Sequence, residues 1–276
     1  MGRRTVRHPV TRWELSGATS TRPDSLAAEE PLEIRVDGQP LTVTMRTPGD
    51  DVDLVHGFLV SEGVIARRED VRTAAYCAGA VGGEANTYNV IDVVLDPDAA
   101  AVRPVRHVLT TSACGLCGRT SIDEVRTRSP YDVSRDQVRF DPEWIIALPD
   151  RLRAAQQVFD STGGLHAAGL FTPEASGPLV VREDVGRHNA VDKAIGWALR
   201  EDRLPATATA LAVSGRASFE LVQKAIVAGI PALVAVSAPS SLAVELATEA
   251  GLTLVGFTRG TTMNIYSGGH RLGLSV

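Results

Sequence analysis

The stretch that decides the fold is ATALAVSGRASFELVQKAIVAGIPALVAVSAPSSLAVELATEAGLTLVGF, residues 208–257. Its three short apolar runs, ATALAV, PALVAV and LTLVGF, are typical of strands covered on both faces. The segments SFELVQKAIVAG and SLAVELATEAG between them have helical periodicity, begin at serine and end at glycine. This order predicts a βαβαβ unit with parallel strands. The loops that leave the carboxyl ends of these strands should line one edge of the sheet, where open α/β sheets bind ligands.

Upstream of this unit, the sequence predicts a helix and a strand pair. Asp141-Pro142-Glu143 has the order of a helix start, and apolar residues continue at helical spacing to Phe159. Gly163-Gly164 should end that helix. The runs GLHAAGLF and GPLVVRE then predict paired strands, and REDVGRHNAVDK leads from the second of them into another helix.

The first hundred residues predict a smaller lobe of mixed structure. LEIRVDGQPLTVTM alternates apolar and polar residues around Asp37-Gly38, which predicts a β-hairpin. Asp50 or Asp51 should cap a helix through DLVHGFLVSEGVI, and NVIDVVLD predicts a strand. The expected organisation is a flexible arm over residues 1–28, a small α+β lobe over 29–108 and a larger α/β domain over 109–276.

Composition and charge exclude several classes of protein. A net charge of −5 and a pI near 5.7 argue against nucleic acid as a partner, because nucleic-acid-binding proteins usually have a basic surface. No apolar stretch reaches the length of a membrane span, and no apolar run follows the twin arginine near the N-terminus. Three cysteines do not make a disulfide framework, so the expected compartment is the reducing cytoplasm.

The sequence CGLCGRTSIDEV contains two cysteines three residues apart, Cys114 and Cys117. A structural zinc site needs four N/S ligands, and the spacing of Cys77 and the histidines suggests no completion. The HxE and PCxxC signature of zinc deaminases does not occur. A thioredoxin-like dithiol has this spacing but normally lies in a βαβ setting. A carrier thiol and a pair of inert, half-buried thiols also remain open.

The residues around the cysteine pair favour a thiolate. Ser121 and Glu124 form an S-x-x-E capping box, which predicts a helix start just after Cys117. The positive end of that helix and the neighbouring Arg119 would lower the pKa of a nearby thiol. A thiolate in a glycine-containing loop could attack a donor and then present its sulfur to an acceptor.

The segment REDVGRHNAVDK, residues 182–193, combines many reactive side chains with Gly186 at a strand-to-helix junction. Such a cluster is either a functional site or a capping and ion-pair cluster at a helix start. Arginines in the later loops would add donors suited to phosphate, because the guanidinium binds oxygens in a bidentate manner. His166, within an apolar run, is expected to be a core histidine. The other polar candidates in these segments are Glu183, Asp184, Arg187, His188, Asn189, Asp192, Lys193, Ser214, Arg216, Ser218, Ser240, Arg259 and Thr261.

Four motifs in this order, CGLCG, EDVGRHNAVDK, SGRASFELVQKAIVAGIPALVAVSAPSSLAVELA and LTLVGFTRG, resemble the formate dehydrogenase accessory sulfurtransferase family. The resemblance extends from about residue 29 to the C-terminus. It implies a cytidine-deaminase-like three-layer core over residues 109–276, with the deaminase zinc chemistry lost and no metal of its own. It also implies sulfur transfer, as a persulfide, from a cysteine desulfurase to the molybdenum or tungsten bis-guanine-dinucleotide cofactor of formate dehydrogenase.

The resemblance also assigns roles to residues. Cys114 matches the persulfide carrier, with Cys117 as its partner. The stretch from Phe257 to Thr262 matches the part that binds the guanine-nucleotide portion of the cofactor, although this chain has Thr258-Arg259-Gly260 where some members have Lys-Pro-Gly. A homodimer is plausible from the same resemblance. The cofactor-binding residues expected on these grounds are Gly186, Arg187, His188, Ser214, Arg216, Phe257, Thr258, Arg259, Gly260, Thr261 and Thr262.

Two other functions compete with sulfur transfer. A non-catalytic chaperone would bind the cofactor and escort it, and it would not need the cysteines. A deaminase-like hydrolase acting on a nucleotide would need stoichiometric zinc. The sequence does not distinguish molybdenum from tungsten, and it does not define the exact role of Cys117.

Overall fold

The computed structural model describes residues 2–77, 88–100 and 129–274. Cys114, Cys117 and the predicted capping box between Ser121 and Glu124 lie outside the described residues. Within them, the chain forms three sheets and the helices that cover them. No helix among these residues has the length and apolar character needed to cross a membrane.

The strands are numbered in chain order. They are β1 (Thr5–Trp13), β2 (Thr19–Ala27), β3 (Glu30–Val36), β4 (Gln39–Arg46), β5 (Val71–Tyr76), β6 (Val90–Leu95), β7 (His166–Phe171), β8 (Val180–Asp184), β9 (Ala210–Val213), β10 (Ala232–Ala235), β11 (Thr253–Arg259) and β12 (Thr262–Ser267). The helices are α1 (Asp51–Ser61), α2 (Pro97–Ala100), α3 (Pro142–Ile146), α4 (Leu148–Ala154), α5 (Gln157–Thr162), α6 (Arg187–Arg200), α7 (Phe219–Val227) and α8 (Ser241–Ala250).

The largest sheet has six strands in the order β12-β11-β10-β9-β7-β8. Strands β9, β10 and β11 are parallel, with α7 and α8 as the connecting helices, which confirms the predicted βαβαβ unit. Strand β7 is antiparallel to both β8 and β9, so β8 runs in the same direction as the parallel strands. The predicted β7–β8 pair is therefore also confirmed.

Both faces of this sheet are covered, as the continuous apolar runs require. On one face, Leu211, Leu233 and Leu254 share a hydrophobic core with the helices α1, α6, α7 and α8 and with the four-stranded sheet. On the other face, Ala212 and Val234 belong to a second cluster that includes residues of α3 and α4. The mixed α/β class is confirmed, while the cytidine-deaminase-like relationship stays a prediction.

The four-stranded sheet has the order β4-β3-β6-β5 and belongs to the predicted small lobe. Its β3–β4 hairpin turns at Asp37 and Gly38, which both have positive φ, at 50° and 78°. This geometry explains the Asp-Gly pair. Because residues of β3, β6 and α1 share one hydrophobic core with the six-stranded sheet, the lobe is packed directly on the rest of the protein.

Three details of the predicted elements are wrong. The predicted single helix after Asp141 consists of three short helices, because Pro149 in the first turn of α4 has no N–H to continue α3. Asp50 precedes α1 in a left-handed conformation and makes no capping bond, since its carboxylate pairs with Arg4 at 2.6 Å. Finally, the expected flexible arm over residues 1–28 contains the regular antiparallel hairpin β1–β2.

The helices α1 and α6 cross at two glycines, and this contact supports a stability prediction. A methyl group at Gly57 would lie 1.8 Å from the carbonyl oxygen of Asp192, and one at Gly196 would lie 1.8 Å from that of Asp53. In an isolated helix, alanine would be favoured over glycine by about 1 kcal/mol. In this protein the added methyl group would overlap the backbone of the facing helix. Moving the two helices apart costs more free energy than the gain in helix propensity, so the substitution should be destabilising.

We therefore expect Gly57→Ala to lower the free energy of unfolding by roughly 3 kcal/mol, as measured by urea denaturation. Gly177→Ala is the matched control, because a methyl group there meets nothing within 4 Å. That control should change the stability by no more than about 0.5 kcal/mol. Equal stability of the two variants would contradict the inferred close approach of the helices.

Candidate functional site

The candidate site lies at the edge of the six-stranded sheet where β8, β9, β10 and β11 end. Three helices, α6, α7 and α8, begin at this edge, each directly after a strand and its loop. Helix N-termini present backbone N–H groups and a partial positive charge, so their convergence favours an anionic ligand. His166 begins β7 and pairs with Asp184 at the end of β8, which places this histidine at the same edge.

The loops of this edge contact one another, as the sequence predicts. The N–H of Ser237 donates to the oxygen of Gly215 at 3.3 Å, and Phe257 donates to Ser237 at 3.3 Å. Ala217 and Pro239 form an isolated parallel bridge. The loop after β9, the loop after β10 and the end of β11 therefore form one continuous surface.

Ser214 has a structural role at this surface. Its Oγ accepts a hydrogen bond from the N–H of Ala167 at 2.9 Å, and its own N–H donates to the oxygen of Ala167 at 3.0 Å. These bonds join the end of β9 to the beginning of β7. The hydroxyl group of Ser214 could still donate its proton in a hydrogen bond to a ligand.

The acidic residues of REDVGRHNAVDK are structural. Glu183 accepts hydrogen bonds from the N–H groups of Val158 and Phe159, both at 2.8 Å, at the start of α5. Asp184, fully buried, pairs with Lys193 at 2.7 Å, and Asp192 pairs with Lys224 at 2.7 Å. Asn189 donates to Met45 and to Asp184. For these side chains the ion-pair and capping interpretation applies.

Gly186, Arg187 and His188 from the same segment instead form the beginning of α6 at the ligand-facing edge. Gly186 is the N-cap residue, with an extended backbone. The Nε of Arg187 is buried and has no hydrogen-bond partner among the described residues. His188 is partly exposed, with its Nε2 3.4 Å from Ser218 Oγ and 3.7 Å from Glu220 Oε2. The segment thus divides into a structural half and a half that faces the site.

His188 and Glu220 form the main titratable pair of the edge. The interaction with His188 is the largest cause that lowers the pKa of Glu220, to about 2, and Ser218 makes a further contribution. Because this pKa is depressed below its ordinary value of 4.5, the pair stabilises the fold above about pH 4.5. That contribution is lost as the pH falls through 2.

We expect His188→Asn to raise the pKa of Glu220 towards 4.5, because the strongest interaction that stabilises its carboxylate is removed. The measurement is a carboxyl-carbon NMR titration between pH 1.5 and 6. Asp132 provides the internal control, since its pKa is lowered mainly through Ser134, outside the edge. A Glu220 pKa that does not move in the variant would show that the pair does not form.

His166 is not the core histidine that the sequence suggested. It is partly exposed, and a methyl group at Gly215 would lie 3.4 Å from its Nδ1. Burial, followed by the charges of Arg187 and His188, lowers the pKa of His166. His166 therefore belongs to the site, and its lowered pKa favours the neutral form of the ring.

The stretch from Phe257 to Thr262 forms the end of β11 and the turn into β12. The register of β11 and β12 shifts between Gly256 and Arg259, and Phe257 has a φ of 51° and is 39% exposed. Arg259, Gly260, Thr261 and Thr262 are exposed, whereas Thr258 is fully buried. The Oγ1 of Thr258 has no hydrogen-bond partner within the described part of the chain.

Several predicted residues are thus brought to one edge, including Gly186, Arg187, His188 and Ser214. Arg216 is exposed in the loop after β9, beside Gly215. His166 as a site residue and Glu220 were missed by sequence reasoning, because no spacing rule connects residues that meet only when β7, α6 and α7 pack together. In the described ranges, no group of three or more His, Cys, Asp or Glu side chains could hold a metal ion.

The fold and the edge together define an α/β protein in which arginines and helix N-termini meet at one edge of an open sheet. A family model described as the FdhD/NarQ family matches residues 27–273. The chain belongs to this family.

Curated relatives match over nearly the full chain. A sulfur carrier protein FdhD of Nocardia farcinica is 62% identical over 275 residues, which are 98% of this chain and 96% of that protein. The sulfur carrier protein FdhD of Streptomyces avermitilis is 60% identical, with 99% and 98% covered. A crystal structure of a formate dehydrogenase accessory protein from Desulfotalea psychrophila has a TM-score of 0.75 at 22% identity, covering 97% of this chain and 99% of that chain.

Proposed function

We propose that this protein is a cytoplasmic sulfur carrier for the maturation of formate dehydrogenase. In this role it accepts persulfide sulfur from a cysteine desulfurase and transfers it to the molybdenum or tungsten bis-guanine-dinucleotide cofactor, which it binds as a substrate. Membership in the FdhD/NarQ family and the names of the relatives, sulfur carrier protein, support the sulfur-carrying role. The cysteine pair CGLCG supplies the thiols.

The cofactor-binding part of this proposal is supported mainly by Arg187 at the start of α6, whose buried Nε has no hydrogen-bond partner in the described part of the chain. A buried donor without a partner is costly, so such groups usually serve a ligand or water. Arg216 and Arg259 are exposed at the ends of β9 and β11, and the beginnings of α7 and α8 add N–H donors. This set suits the diphosphate of a guanine dinucleotide, because arginine binds phosphate oxygens in a bidentate manner. The exposed ring of Phe257 provides a face on which a base could stack.

The proposed chemistry consists of two balanced sulfur transfers. The thiolate of Cys114 attacks the outer sulfur of the desulfurase persulfide, so a new S–S bond forms while the desulfurase cysteine leaves as a thiolate. Release follows when Cys117 attacks the Sγ of Cys114. The outer sulfur then leaves with the bonding electron pair as sulfide, and a Cys114–Cys117 disulfide remains. The described residues of the edge bind and orient the sulfur acceptor.

Loading can be tested directly with the wild-type chain. After incubation with a cysteine desulfurase and cysteine, the intact mass should increase by one sulfur atom, and a reducing agent should remove it. Peptide mapping should place the added sulfur on Cys114. An unchanged mass, with a desulfurase shown to be active on another acceptor, would refute the carrier role.

Binding of the nucleotide portion can be tested with GDP. We expect Arg216→Ala to weaken GDP binding by a factor of ten or more in isothermal titration calorimetry, because a charge-assisted hydrogen bond is worth about 1.5–3 kcal/mol. The matched control is Arg139→Ala, since Arg139 donates to the oxygen of His270 at the opposite edge of the sheet. Equal affinities in the two variants would exclude Arg216 as a phosphate ligand.

A further inference from the structure

The N-terminal hairpin, here called the arm (residues 2–28), projects from the rest of the protein. Two nine-residue strands pair along their full length, yet almost every residue in them is exposed. The arm is attached mainly at its base, where Arg4 pairs with Asp50 and β2 contacts α5. An isolated two-stranded hairpin is at best marginally stable in water, so a surface that covers it would be favoured.

The arm exposes large apolar side chains. Trp13 and Leu15, near its tip, are 62% and 93% exposed. Val6 and Leu26 form a cross-strand pair nearer the base and are 50% and 43% exposed. Tryptophan flanked by arginine is the composition of protein-binding hot spots, in which the aromatic ring fills a pocket on the partner.

The arm also differs in charge from the remainder of the chain. Residues 1–28 contain five arginines and two carboxylates, a net charge of +3, while the whole chain has −5. Arg7, Arg12 and Arg22 lie on the exposed part of the hairpin. A surface with this charge is complementary to an acidic partner.

The arm stands beside the candidate site. A methyl group at Gly164, two residues before His166, would lie 3.6 Å from the side chain of Ala27 at the base of the arm. Thr47, close to the Asp50 anchor, donates its N–H to Asp184 at the start of the Gly186–His188 segment. A protein that contacts the arm along its length, down to its base, would therefore lie next to this edge. The family model begins only at residue 27, so nearly all of the arm lies outside the part that this model matches.

We propose that the arm is a docking element for an acidic, partly apolar surface of the protein that receives the cofactor from this edge. The arginines would pair with carboxylates of that protein, and Trp13 and Leu15 would enter an apolar depression between them. The position of the arm favours the recipient, because a protein that contacts the arm down to its base lies beside the edge from which the ligand must leave. This inference rests on the proposed function, under which the recipient is the formate dehydrogenase apoprotein.

Two variants of the full chain test the two components of the arm. The charge variant combines Arg7→Ser, Arg12→Ser and Arg22→Ser, and the tip variant combines Trp13→Ser with Leu15→Ser. Binding to purified formate dehydrogenase apoprotein is measured by biolayer interferometry at low and high salt. We expect each variant to bind about tenfold more weakly than wild type, and wild-type binding to weaken with salt.

The controls separate docking from folding and from the edge. Arg135→Ser removes a positive charge that is 87% exposed on another part of the surface, and its binding should equal wild type. The GDP affinity of both arm variants should also be unchanged, because their substituted residues do not contribute to the edge.

Four outcomes would overturn the docking role. The first two are that wild type does not bind the apoprotein, and that both arm variants bind it within twofold of wild type. The other two are that the arm variants lose affinity for the desulfurase but not for the apoprotein, and that wild type is a dimer which both variants convert to monomers. The last would show that a second copy of this chain covers the arm. Sulfur loading of Cys114 is measured in the same samples. If Cys114 is not loaded but binding still depends on the arm, only the carrier function is refuted. If Cys114 is loaded but binding does not depend on the arm, only the docking role is refuted.

Discussion

Replacement of Cys114 by alanine is expected to abolish both persulfide formation on the chain and activation of formate dehydrogenase. The reason is chemical: only a thiolate can take the sulfur by attacking the desulfurase persulfide, and the alanine methyl group cannot. The predicted helix start after Cys117 would favour this thiolate, since a helix N-terminus lowers the pKa of a nearby thiol. Intact-mass measurement reports loading, and a formate oxidation assay on co-expressed dehydrogenase reports maturation.

The control for this experiment is Cys77→Ala. Cys77 donates its N–H to the oxygen of Val90 in the four-stranded sheet, so it belongs to a different part of the fold from the edge. Its loss should leave both readouts at wild-type level. A Cys114→Ala variant that still gains sulfur on Cys117 and still matures the dehydrogenase would refute the assigned roles. Full maturation by the double variant Cys114→Ala, Cys117→Ala would instead favour an escort that needs no thiol.

The elements that local periodicity determines could be predicted from the sequence. Strands β9, β10 and β11 are continuous apolar runs because helices cover both of their faces, and this burial is visible in sequence. The turn at Asp37-Gly38 follows from the positive φ that these residue types tolerate. Where the local sequence pattern and the tertiary environment favour the same element, the pattern alone was sufficient to predict that element.

Elements whose form depends on distant partners could not be predicted in the same way. The sequence predicts a helix cap at Asp50, but Arg4, 46 residues away, donates to the carboxylate of Asp50 instead. The arm has no alternating apolar pattern, because both of its faces are exposed and no core selects the residues of one face. The sequence of these two strands therefore looks like that of an unstructured segment, although the strands pair in regular register.

The candidate site shows the same division. The position of the edge follows from topology, because parallel strands place their carboxyl ends together. The contact of His188 with Glu220 depends instead on the packing of α6 against α7, across 32 residues of chain. The sequence also could not show which polar residues of REDVGRHNAVDK are structural. Their partners Thr47, Ser61 and Lys224 come from other segments of the chain.

The buried carboxylate of Asp184 links these structural contacts to the ligand edge, so Asp184→Asn is expected to damage both stability and binding. Asp184 is fully buried, pairs with Lys193 at 2.7 Å and accepts hydrogen bonds from the N–H groups of Thr47 and Gly186. The asparagine leaves the lysine charge buried without its counterion, which costs roughly 3–5 kcal/mol. Because Gly186 is the N-cap of α6, the same change should also weaken GDP binding.

Asp160→Asn provides the matched comparison, since the Asp160–Arg153 pair has a similar distance of 2.6 Å but side chains that are 60% and 50% exposed. Water solvates both exposed partners, so this change should cost at most about 1 kcal/mol. A double variant, Asp184→Asn with Lys193→Met, should recover part of the stability, because it removes the unpaired charge. Urea denaturation measures all three variants. If Asp184→Asn costs no more than Asp160→Asn, or if the added Lys193→Met brings no recovery, burial of the charge is not what makes this pair important.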